Sequence, residues 1–293
     1  MSAIGYYILL PFIYFAAILP FPLFYVLSDF NYFLVYHVLG YRKKVVLQNL
    51  RNSFPEKSDE EIKKISRKFY RYLCDLFLET FKTLVISKES MKQHCRFHPS
   101  TIELFEKYNA KKQSVILVLG HFGNWEWAGN TFGITCKQQL YVIYHPFTNK
   151  KFGNLIVKMR TRFGTKLIPM KETVREMIRK KDEITATAFI ADQTPPVEGA
   201  YWTTFLNQET PIFNGTEKIA RKMNYPVVYV SLKKIKRGYY EVFAETLCET
   251  PKTSGEGEIS ELHTKRLEKD IRQTPELWLW SHRRWKHKKP LNL

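Results

Sequence analysis

The 293-residue sequence predicts an α/β fold with a mostly parallel central sheet flanked by helices. Short apolar runs rich in β-branched residues recur after residue 113, and stretches with helical spacing separate them, as expected of a parallel sheet. Hydrophobic residues make up 44% and aromatic residues 15% of the chain, which excludes a disordered protein. The four cysteines are scattered and form no C-x-x-C pair, which excludes a disulfide framework and suits a reducing compartment.

The N-terminal stretch is nearly uncharged. The first 41 residues contain one formal charge, Asp29, although the whole chain carries a net charge of +18. Residues 4–27 carry no charge, and 24 residues at about 1.5 Å each can cross a hydrocarbon core about 30 Å thick. Three prolines would kink such a helix: Pro11, Pro20 and Pro22. We therefore predict a membrane anchor over residues 1–41, crossing the membrane or lying in its interface, with a buried core helix as the alternative. The first cations, from Arg42 onward, predict that the rest of the chain faces the cytoplasm.

A basic amphipathic helix is predicted next. Apolar side chains recur at helical spacing between Ile62 and Phe77, and Ser58 followed by two glutamates predicts where the helix begins. Between residues 42 and 72 there are ten Lys or Arg against four Asp or Glu. Next to a membrane segment, such a basic face is expected to contact anionic lipid headgroups as well as water.

Strands and helices are predicted in alternation after residue 113. The strands cover residues 114–119, 140–144, 166–169, 185–190 and 226–232. The helices cover residues 150–163, 173–181 and 216–223. Residues 239–247 predict an antiparallel edge strand, and residues 259–273 predict a last helix. Because no long linker separates these elements, residues 42–293 are predicted to form one catalytic domain.

The stretch Gly-His-Phe-Gly-Asn-Trp-Glu-Trp at 120–127 carries the chemistry. It directly follows a predicted strand and opens a helix, which is the carboxyl edge of a parallel sheet, where open α/β folds bind ligands. His121 and Glu126 stand in an H-x4-E spacing, so Glu126 is predicted to orient the imidazole while His121 acts as general base on a bound hydroxyl. A hydrogen-bonded structural histidine is the alternative for an isolated His at such a turn.

This stretch resembles the active-site block of the lipid A biosynthesis (lauroyl/myristoyl-type) acyltransferases, within the H-x4-D/E glycerolipid acyltransferase superfamily. Further blocks similar to the family's follow in its order: YHP at 144–146 with Asn149, RTRFG at 160–164 with LIP at 167–169, ADQ at 191–193, and PELWLWSHRRWK at 275–286. Two features depart from the family pattern. His145 stands where Arg is usual, and residues 194–210 replace a Gly-rich loop. Both concern the expected acceptor pocket.

The resemblance implies transfer of a fatty acyl chain from acyl carrier protein to a hydroxyl of a lipid A precursor, with no covalent enzyme intermediate. Arg160 and Arg162 would hold lipid phosphate or steady the oxyanion, and Asn124 and Asp192 would also bind substrate. No metal and no cofactor other than the acyl donor is implied. The partners would be acyl carrier protein, a membrane glycolipid acceptor and an anionic membrane surface, without nucleic acid. The location would be the bacterial inner membrane, with the catalytic domain facing the cytoplasm.

Several alternatives remain open. The acceptor could be an aminolipid or a mannoside glycolipid, since the acceptor pocket is where the pattern departs. A basic membrane-associated nucleic-acid-binding protein agrees with a pI near 9.6, but no nucleic-acid-binding motif is found. A membrane-bound hydrolase or an inactive scaffold would use the same fold. The pattern His94-Cys95-x-x-His98 lacks a second ligand pair at zinc spacing, so no metal site is predicted.

Overall fold

A computed structural model describes residues 3–198 and 200–289 of the chain. The α-helices of this part are α1 Ala3–Ile18, α2 Phe21–Tyr32, α3 Lys43–Ser53, α4 Asp59–Lys82, α5 Lys88–His94, α6 Pro99–Ala110, α7 Trp125–Thr135, α8 Lys150–Thr161, α9 Thr173–Arg179, α10 Gly215–Met223 and α11 Glu258–Gln273. The strands are β1 Cys95–Phe97, β2 Val115–Leu119, β3 Gln139–Tyr144, β4 Lys166–Pro169, β5 Thr185–Ile190, β6 Tyr201–Phe205, β7 Gln208–Ile212, β8 Val227–Lys236 and β9 Tyr239–Cys248. Short helical turns cover Phe33–Val38, Met170–Glu172, Pro251–Thr253 and Pro275–Leu277.

The central sheet has the strand order β1-β9-β8-β2-β5-β3-β4. Strands β8, β2, β5, β3 and β4 run parallel to one another, and β9 pairs antiparallel with β8. All five residues of β2 are buried, as is typical of a strand covered on both faces. The predicted α/β fold with a mostly parallel sheet is therefore confirmed.

Helices cover both faces of this sheet. Along β2, Ile116 and Val118 point into a core formed with α4, α10 and α11. Val115, Leu117 and Leu119 point into a second core formed with α5, α6 and α7. Because side chains alternate along a strand, one apolar strand supplies both cores.

Two features of the strand arrangement were not predicted. Strand β9 is antiparallel as expected, but it is not at the edge, because β1 pairs with it in parallel. Strand β1 has only three residues, which is too short for a hydrophobic pattern to indicate it. Strands β6 and β7 form a separate antiparallel hairpin within the stretch that replaces the Gly-rich loop of the resemblance. Gly199 of that stretch lies outside the described residues.

The N-terminal apolar stretch forms two helices instead of the single long one expected. Helix α1 ends at Ile18, and Pro20 takes the N-cap position of α2. Proline lacks an N–H donor and disfavours the helical conformation of the residue before it, so the chain breaks at Leu19. Among residues 3–198 and 200–289, no helix is both long and apolar enough to span a membrane. A continuous crossing helix is therefore wrong for the described residues, and residues 1–2 of the predicted anchor lie outside them.

Helices α1 and α2 bury one face against α4. Ala16 and Phe24 pack against Leu78, and the Lys82 ammonium donates a 2.8 Å hydrogen bond to the carbonyl oxygen of Ala17 at the end of α1. A cation there satisfies carbonyl groups that a helix end leaves unpaired.

The opposite face of α1 and α2 is exposed and apolar. Its most exposed side chains are Tyr7, Ile8, Phe12, Phe15, Ile18, Leu23, Val26 and Phe30. The basic amphipathic helix is confirmed as α4, which Ser58 begins with a reciprocal cap to Glu61.

Candidate active site

Two predicted site residues meet at the carboxyl edge of the sheet. His121 lies two residues beyond the end of β2, and Asp192 lies two residues beyond the end of β5. These strands are parallel neighbours, with Leu119 opposite Ile190. Equal steps from paired strand ends bring the two side chains together, and His121 Nδ1 lies 2.6 Å from Asp192 Oδ1.

Asp192 is built to stay ionised. Its other oxygen, Oδ2, accepts hydrogen bonds from the His121 backbone N–H at 2.9 Å and from the Trp278 indole at 2.7 Å. Burial would raise the pKa of this carboxyl, but the charge of His121 and these hydrogen bonds hold it well below its usual range. An ionised carboxylate only accepts hydrogen bonds, so the network assigns the shared proton to His121 Nδ1.

The second imidazole nitrogen of His121 is left available. Its Nε2 makes no hydrogen bond within the part of the chain that the structure describes. The His121 side chain is 18% exposed, against 3% for Asp192. The Trp125 ring packs edge-on against the imidazole, with ring centroids 5.0 Å apart. With the proton on Nδ1, the lone pair of Nε2 is free to take a proton from a group bound beside it.

Glu126 pairs with Arg160 and makes no described hydrogen bond to His121. Arg160 Nε lies 2.9 Å from Glu126 Oε2, and Arg160 Nη2 lies 2.5 Å from Glu126 Oε1. The Trp125 indole also donates to Glu126, at 3.2 Å. Burial would lower the pKa of Arg160, but the charge and hydrogen bonds of Glu126 raise it above its ordinary value. The predicted orienting carboxylate is thus replaced at Nδ1 by Asp192, because Glu126 lies on the first turn of α7 and points to α8.

The other two predicted binding residues have structural partners. Asn124 is fully buried: its Oδ1 accepts from the backbone N–H of Trp127 at 2.9 Å, and its Nδ2 donates to Glu79 at 2.8 Å. It therefore caps α7. Arg162 donates to the carbonyl oxygen of Thr83, just after α4. Contact of either side chain with substrate stays a prediction.

Glu79, a buried carboxylate that the sequence analysis did not select, lies beneath the turn between β2 and α7. Glu79 is 0% exposed and accepts hydrogen bonds from Tyr25 at 2.9 Å and from Tyr240 at 2.8 Å, besides that from Asn124. Burial raises the pKa of Glu79 to about 7, although these hydrogen bonds lower it. This carboxylate ties α2 to the start of α7. The sequence offered one indication of this role: Glu79 lies among apolar core positions of α4, and an acid buried there needs hydrogen-bond partners.

The C-terminal segment, residues 275–286, packs against the turn that follows β2. The Gly123 N–H donates to the carbonyl oxygen of Leu277 at 2.9 Å, and Phe122 and Trp278 form a β-bridge. Gly123 has a φ of +62°, and a Cβ there would lie 2.7 Å from the Cβ of Leu232, so this turn requires glycine. Trp278 and Trp280 of this segment are both buried in the core.

Arg284, in the basic C-terminal segment, is buried. It is 1% exposed and donates to the carbonyl oxygen of Pro211 at 2.7 Å. Burial lowers the pKa of Arg284 to about 10. The tail beyond residue 289 lies outside the described residues.

The residues of the H-C-x-x-H pattern lie elsewhere. His94 stacks between the rings of Phe21 and Tyr239, with centroids 4.0 and 4.3 Å away, and His98 precedes α6 as its cap. No group of three or more His, Cys, Asp or Glu side chains that could hold a metal is found in the described ranges.

The arrangement suits activation of a hydroxyl. A histidine with an available Nε2, oriented and charge-balanced by a buried carboxylate, is the base half of a catalytic triad without a serine. Arg160 adds a guanidinium that donates to Glu126, the carboxylate to which Trp125 also donates, and such a cation can stabilise negative charge on an oxygen. Such a site can carry out direct acyl transfer between two bound substrates.

Comparison with known proteins gives consistent matches. Residues 2–287 match the model of a family described as bacterial lipid A biosynthesis acyltransferase. The lipid A biosynthesis palmitoleoyltransferase of Escherichia coli (strain K12) is 24% identical over 251 residues, which cover 84% of this chain and 79% of that protein. The lipid A biosynthesis lauroyltransferase of the same organism is 25% identical over 272 residues, or 92% of this chain and 87% of that protein. A lipid A biosynthesis acyltransferase of Shigella flexneri matches with 24% identity over 251 residues.

Proposed function

We propose that this chain, which belongs to the family of bacterial lipid A biosynthesis acyltransferases, moves a fatty acyl chain from acyl carrier protein to a hydroxyl of a lipid A precursor. The chain is an acyltransferase, as its relatives are. The observation that carries the proposed chemistry is the contact between His121 and Asp192 at the carboxyl edge of the sheet, which leaves Nε2 available. The relatives' names support lipid A as the acceptor.

In the proposed reaction His121 acts as general base. Its Nε2 takes the proton of the acceptor hydroxyl while the oxygen attacks the thioester carbonyl carbon. The new C–O bond forms, the C–S bond breaks, and the departing thiolate takes the proton back from the imidazolium. Asp192 stabilises the imidazolium formed between these two steps. Both products leave with the protons they need, and no acyl group is attached to the protein.

The pair of Glu126 and Arg160 is proposed to stabilise the oxyanion of the tetrahedral intermediate. Within the described residues the hydrogen bonds to Glu126 use Arg160 Nε and Nη2, and none is made by Nη1. The Arg160 side chain is 21% exposed, and Nη1 is the nitrogen proposed to contact the ligand. Glu126 fixes the guanidinium, and a fixed donor stabilises developing charge without reorganising. Lipid phosphate is the other anion this guanidinium suits.

The basic surface supports an acidic protein as the acyl donor's carrier. With a net charge of +18, the chain attracts anionic partners over distances of about a Debye length. Acyl carrier protein and an anionic membrane surface are both of this kind. We expect the rate of transfer from acyl carrier protein to fall as salt is raised.

The exposed apolar face of α1 and α2 is proposed to lie in the membrane interface. Phe12 and Phe15 are 67% and 59% exposed on one side of α1, while Lys151 and Lys158 of α8 contact its tyrosines. An apolar face rimmed by lysines is typical of a helix that lies along a membrane surface. This placement would hold the site beside a lipid acceptor at the cytoplasmic face of the bacterial inner membrane.

Replacing both Phe12 and Phe15 with serine should weaken binding to anionic vesicles by at least about 100-fold. Full burial of one phenylalanine contributes about 1.5–3 kcal/mol, and both rings would be lost from the interface. Vesicle co-sedimentation measures the change. The matched control replaces Val174 and Leu262, which are 38% and 39% exposed away from α1, and should bind as the unaltered protein does. Equal binding by both double variants would contradict the interfacial placement.

The test of the function is a transfer assay on the full chain in membranes. The donors are acyl carrier protein thioesters and, for comparison, coenzyme A thioesters. The acceptors are a lipid A precursor with a free hydroxyl on a primary acyl chain, an aminolipid and a mannoside glycolipid. Mass spectrometry should find the acylated lipid A precursor, formed faster from the acyl carrier protein donor. Free fatty acid alone would indicate a hydrolase, and salt-dependent nucleic-acid binding without any transfer would favour the nucleic-acid-binding alternative.

One observation favours a different acceptor as the second candidate. Residues 201–212 form the β6–β7 hairpin in place of a Gly-rich loop, and His145 stands in place of Arg. Both changes alter the region expected to contact the acceptor. An aminolipid or mannoside acylated faster than the lipid A precursor would establish that candidate while leaving the chemistry at His121 unchanged.

A further inference from the structure

We propose that the narrow cavity between α7 and the central sheet holds the transferred acyl chain, and that Gly129 limits how long that chain can be. The inference rests on the proposed function, because it gives the acyl group of that reaction a binding site. The cavity has a volume of about 50 Å³ and lies in the core formed with α5, α6 and α7.

The lining of the cavity is almost entirely apolar. Helix α7 contributes Trp125, Ala128, Gly129 and Phe132, which lie on one face of the helix at positions i, i+3, i+4 and i+7. Opposite them, the sheet contributes Leu, Val and Ala side chains and Phe97 of β1. The polar atom of Trp125, its indole N–H, is turned to Glu126. A ligand with any hydrogen-bonding group would lose partners here, whereas an alkyl chain would lose none.

One residue that lines the cavity also contacts the proposed catalytic histidine. Trp125, which lines it, is the residue whose ring packs against His121 at 5.0 Å. A chain whose first methylenes pass Trp125 would place its carbonyl carbon beside His121 Nε2. The position of the cavity therefore matches the order of groups in a thioester, with the reactive carbon at the surface and the alkyl chain inside.

Small residues create the space. At Gly129 an added Cβ would meet nothing within 4 Å, although the residue lies in the middle of a helix that packs on the sheet. Ala188 of strand β5 lines the same cavity from the sheet. Protein interiors are normally filled to crystal density, and glycine is unfavourable inside a helix, so an open position here needs a reason. Room for a ligand supplies that reason.

Chain length would be set by how far the alkyl chain displaces the deep wall. At about 50 Å³ the cavity admits only part of a long chain as it stands. Phe132 and Phe105 close the far side, with ring centroids 5.0 Å apart. An acyl chain that reaches these rings must displace one of them. A larger side chain at position 129 would stop the acyl chain before it reaches them.

The experiment measures transfer from acyl carrier protein thioesters of increasing chain length. In Gly129→Leu, transfer of the preferred chain relative to one two carbons shorter should fall by about 15-fold, which corresponds to two methylenes at about 0.8 kcal/mol each. Gly129→Ala should shift the profile less. Gly215→Leu is the matched control, because an added Cβ there also meets nothing within 4 Å, but on α10. Its profile should equal that of the unaltered protein.

Each outcome decides between the inference and the function on which it rests. Transfer with an unchanged chain-length profile in Gly129→Leu would overturn the inference and leave the proposed function standing. If Gly129→Leu does not fold, Ala188→Val narrows the cavity from the opposite wall and should shift the profile in the same direction. If no donor is transferred by any variant, the proposed function fails, and binding of palmitate and laurate then tests the cavity directly. Weaker palmitate binding in Gly129→Leu than in Gly215→Leu would support the inference, and equal binding would overturn it.

Discussion

Replacing His121 with alanine should lower kcat for acyl transfer by about 10³- to 10⁴-fold, the range that a positioned general base contributes. Among the described residues, His121 Nε2 has no hydrogen-bond partner, and Asp192 holds the other ring nitrogen, Nδ1. Without it, the acceptor hydroxyl would have to lose its proton to water. The rate is measured at saturating acyl carrier protein thioester and lipid acceptor, by mass spectrometry of the product.

The variant must be shown to fold and to reach the membrane. Circular dichroism and vesicle co-sedimentation should match those of the unaltered protein, because the His121 side chain is partly exposed and makes one hydrogen bond among the described residues, to Asp192. His98→Ala is the matched control, since His98 lies before α6, away from the sheet's carboxyl edge. It should keep the full rate. Transfer by His121→Ala within a few-fold of normal would rule out His121 as the base.

Replacing Asp192 with asparagine should lower kcat by about 10³-fold. Asparagine keeps the size of the side chain, but it can present an amide N–H to His121 Nδ1, which forces the ring proton onto Nε2. The nitrogen that faces the substrate would then have no lone pair, and the imidazolium would lose its counter-charge. The same transfer assay measures the loss.

The matched control for that variant is Asp182→Asn, an exposed acid in the turn before β5. It should transfer at the normal rate. A small effect of Asp192→Asn on kcat, with an increase confined to KM for the acceptor, would instead support the earlier expectation that Asp192 binds substrate.

The separate parts of this site were predictable from the sequence, but their partnership was not. The apolar runs that became β2 and β5 were predicted almost to the residue, and His121 and Asp192 were both selected. The pairing of His121 with Asp192 depends on strand order: β5 lies beside β2, although β3 and β4 come between them along the chain. Glu126, five residues after His121, was favoured because local spacing is visible in a sequence and sheet order is not. The sequence offered one indication of the pairing: His121 and Asp192 each stand two residues beyond a predicted strand.

The N-terminal stretch shows a second limit of prediction from the sequence. Its lack of charge and its prolines were evident, and they predicted an apolar helical segment with kinks. Pro20 instead separates two helices, and the Glu79 and Lys82 contacts that attach them to α4 join residues more than 50 positions apart. Contacts of that range depend on tertiary packing. For the same reason, the three hydrogen bonds that hold Asp192, one of them from Trp278, were not predictable from its own surroundings in the chain.

The central claim is that Asp192 places the proton on His121 Nδ1 and so leaves Nε2 basic. Nitrogen NMR of selectively labelled histidine tests it directly, by comparing the His121 tautomer in the unaltered protein, Asp192→Asn and Glu126→Gln. We expect the Nδ1–H tautomer in the unaltered protein and in Glu126→Gln, and the Nε2–H tautomer in Asp192→Asn. A tautomer that is unchanged in Asp192→Asn but altered in Glu126→Gln would contradict the claim and return the orienting role to Glu126.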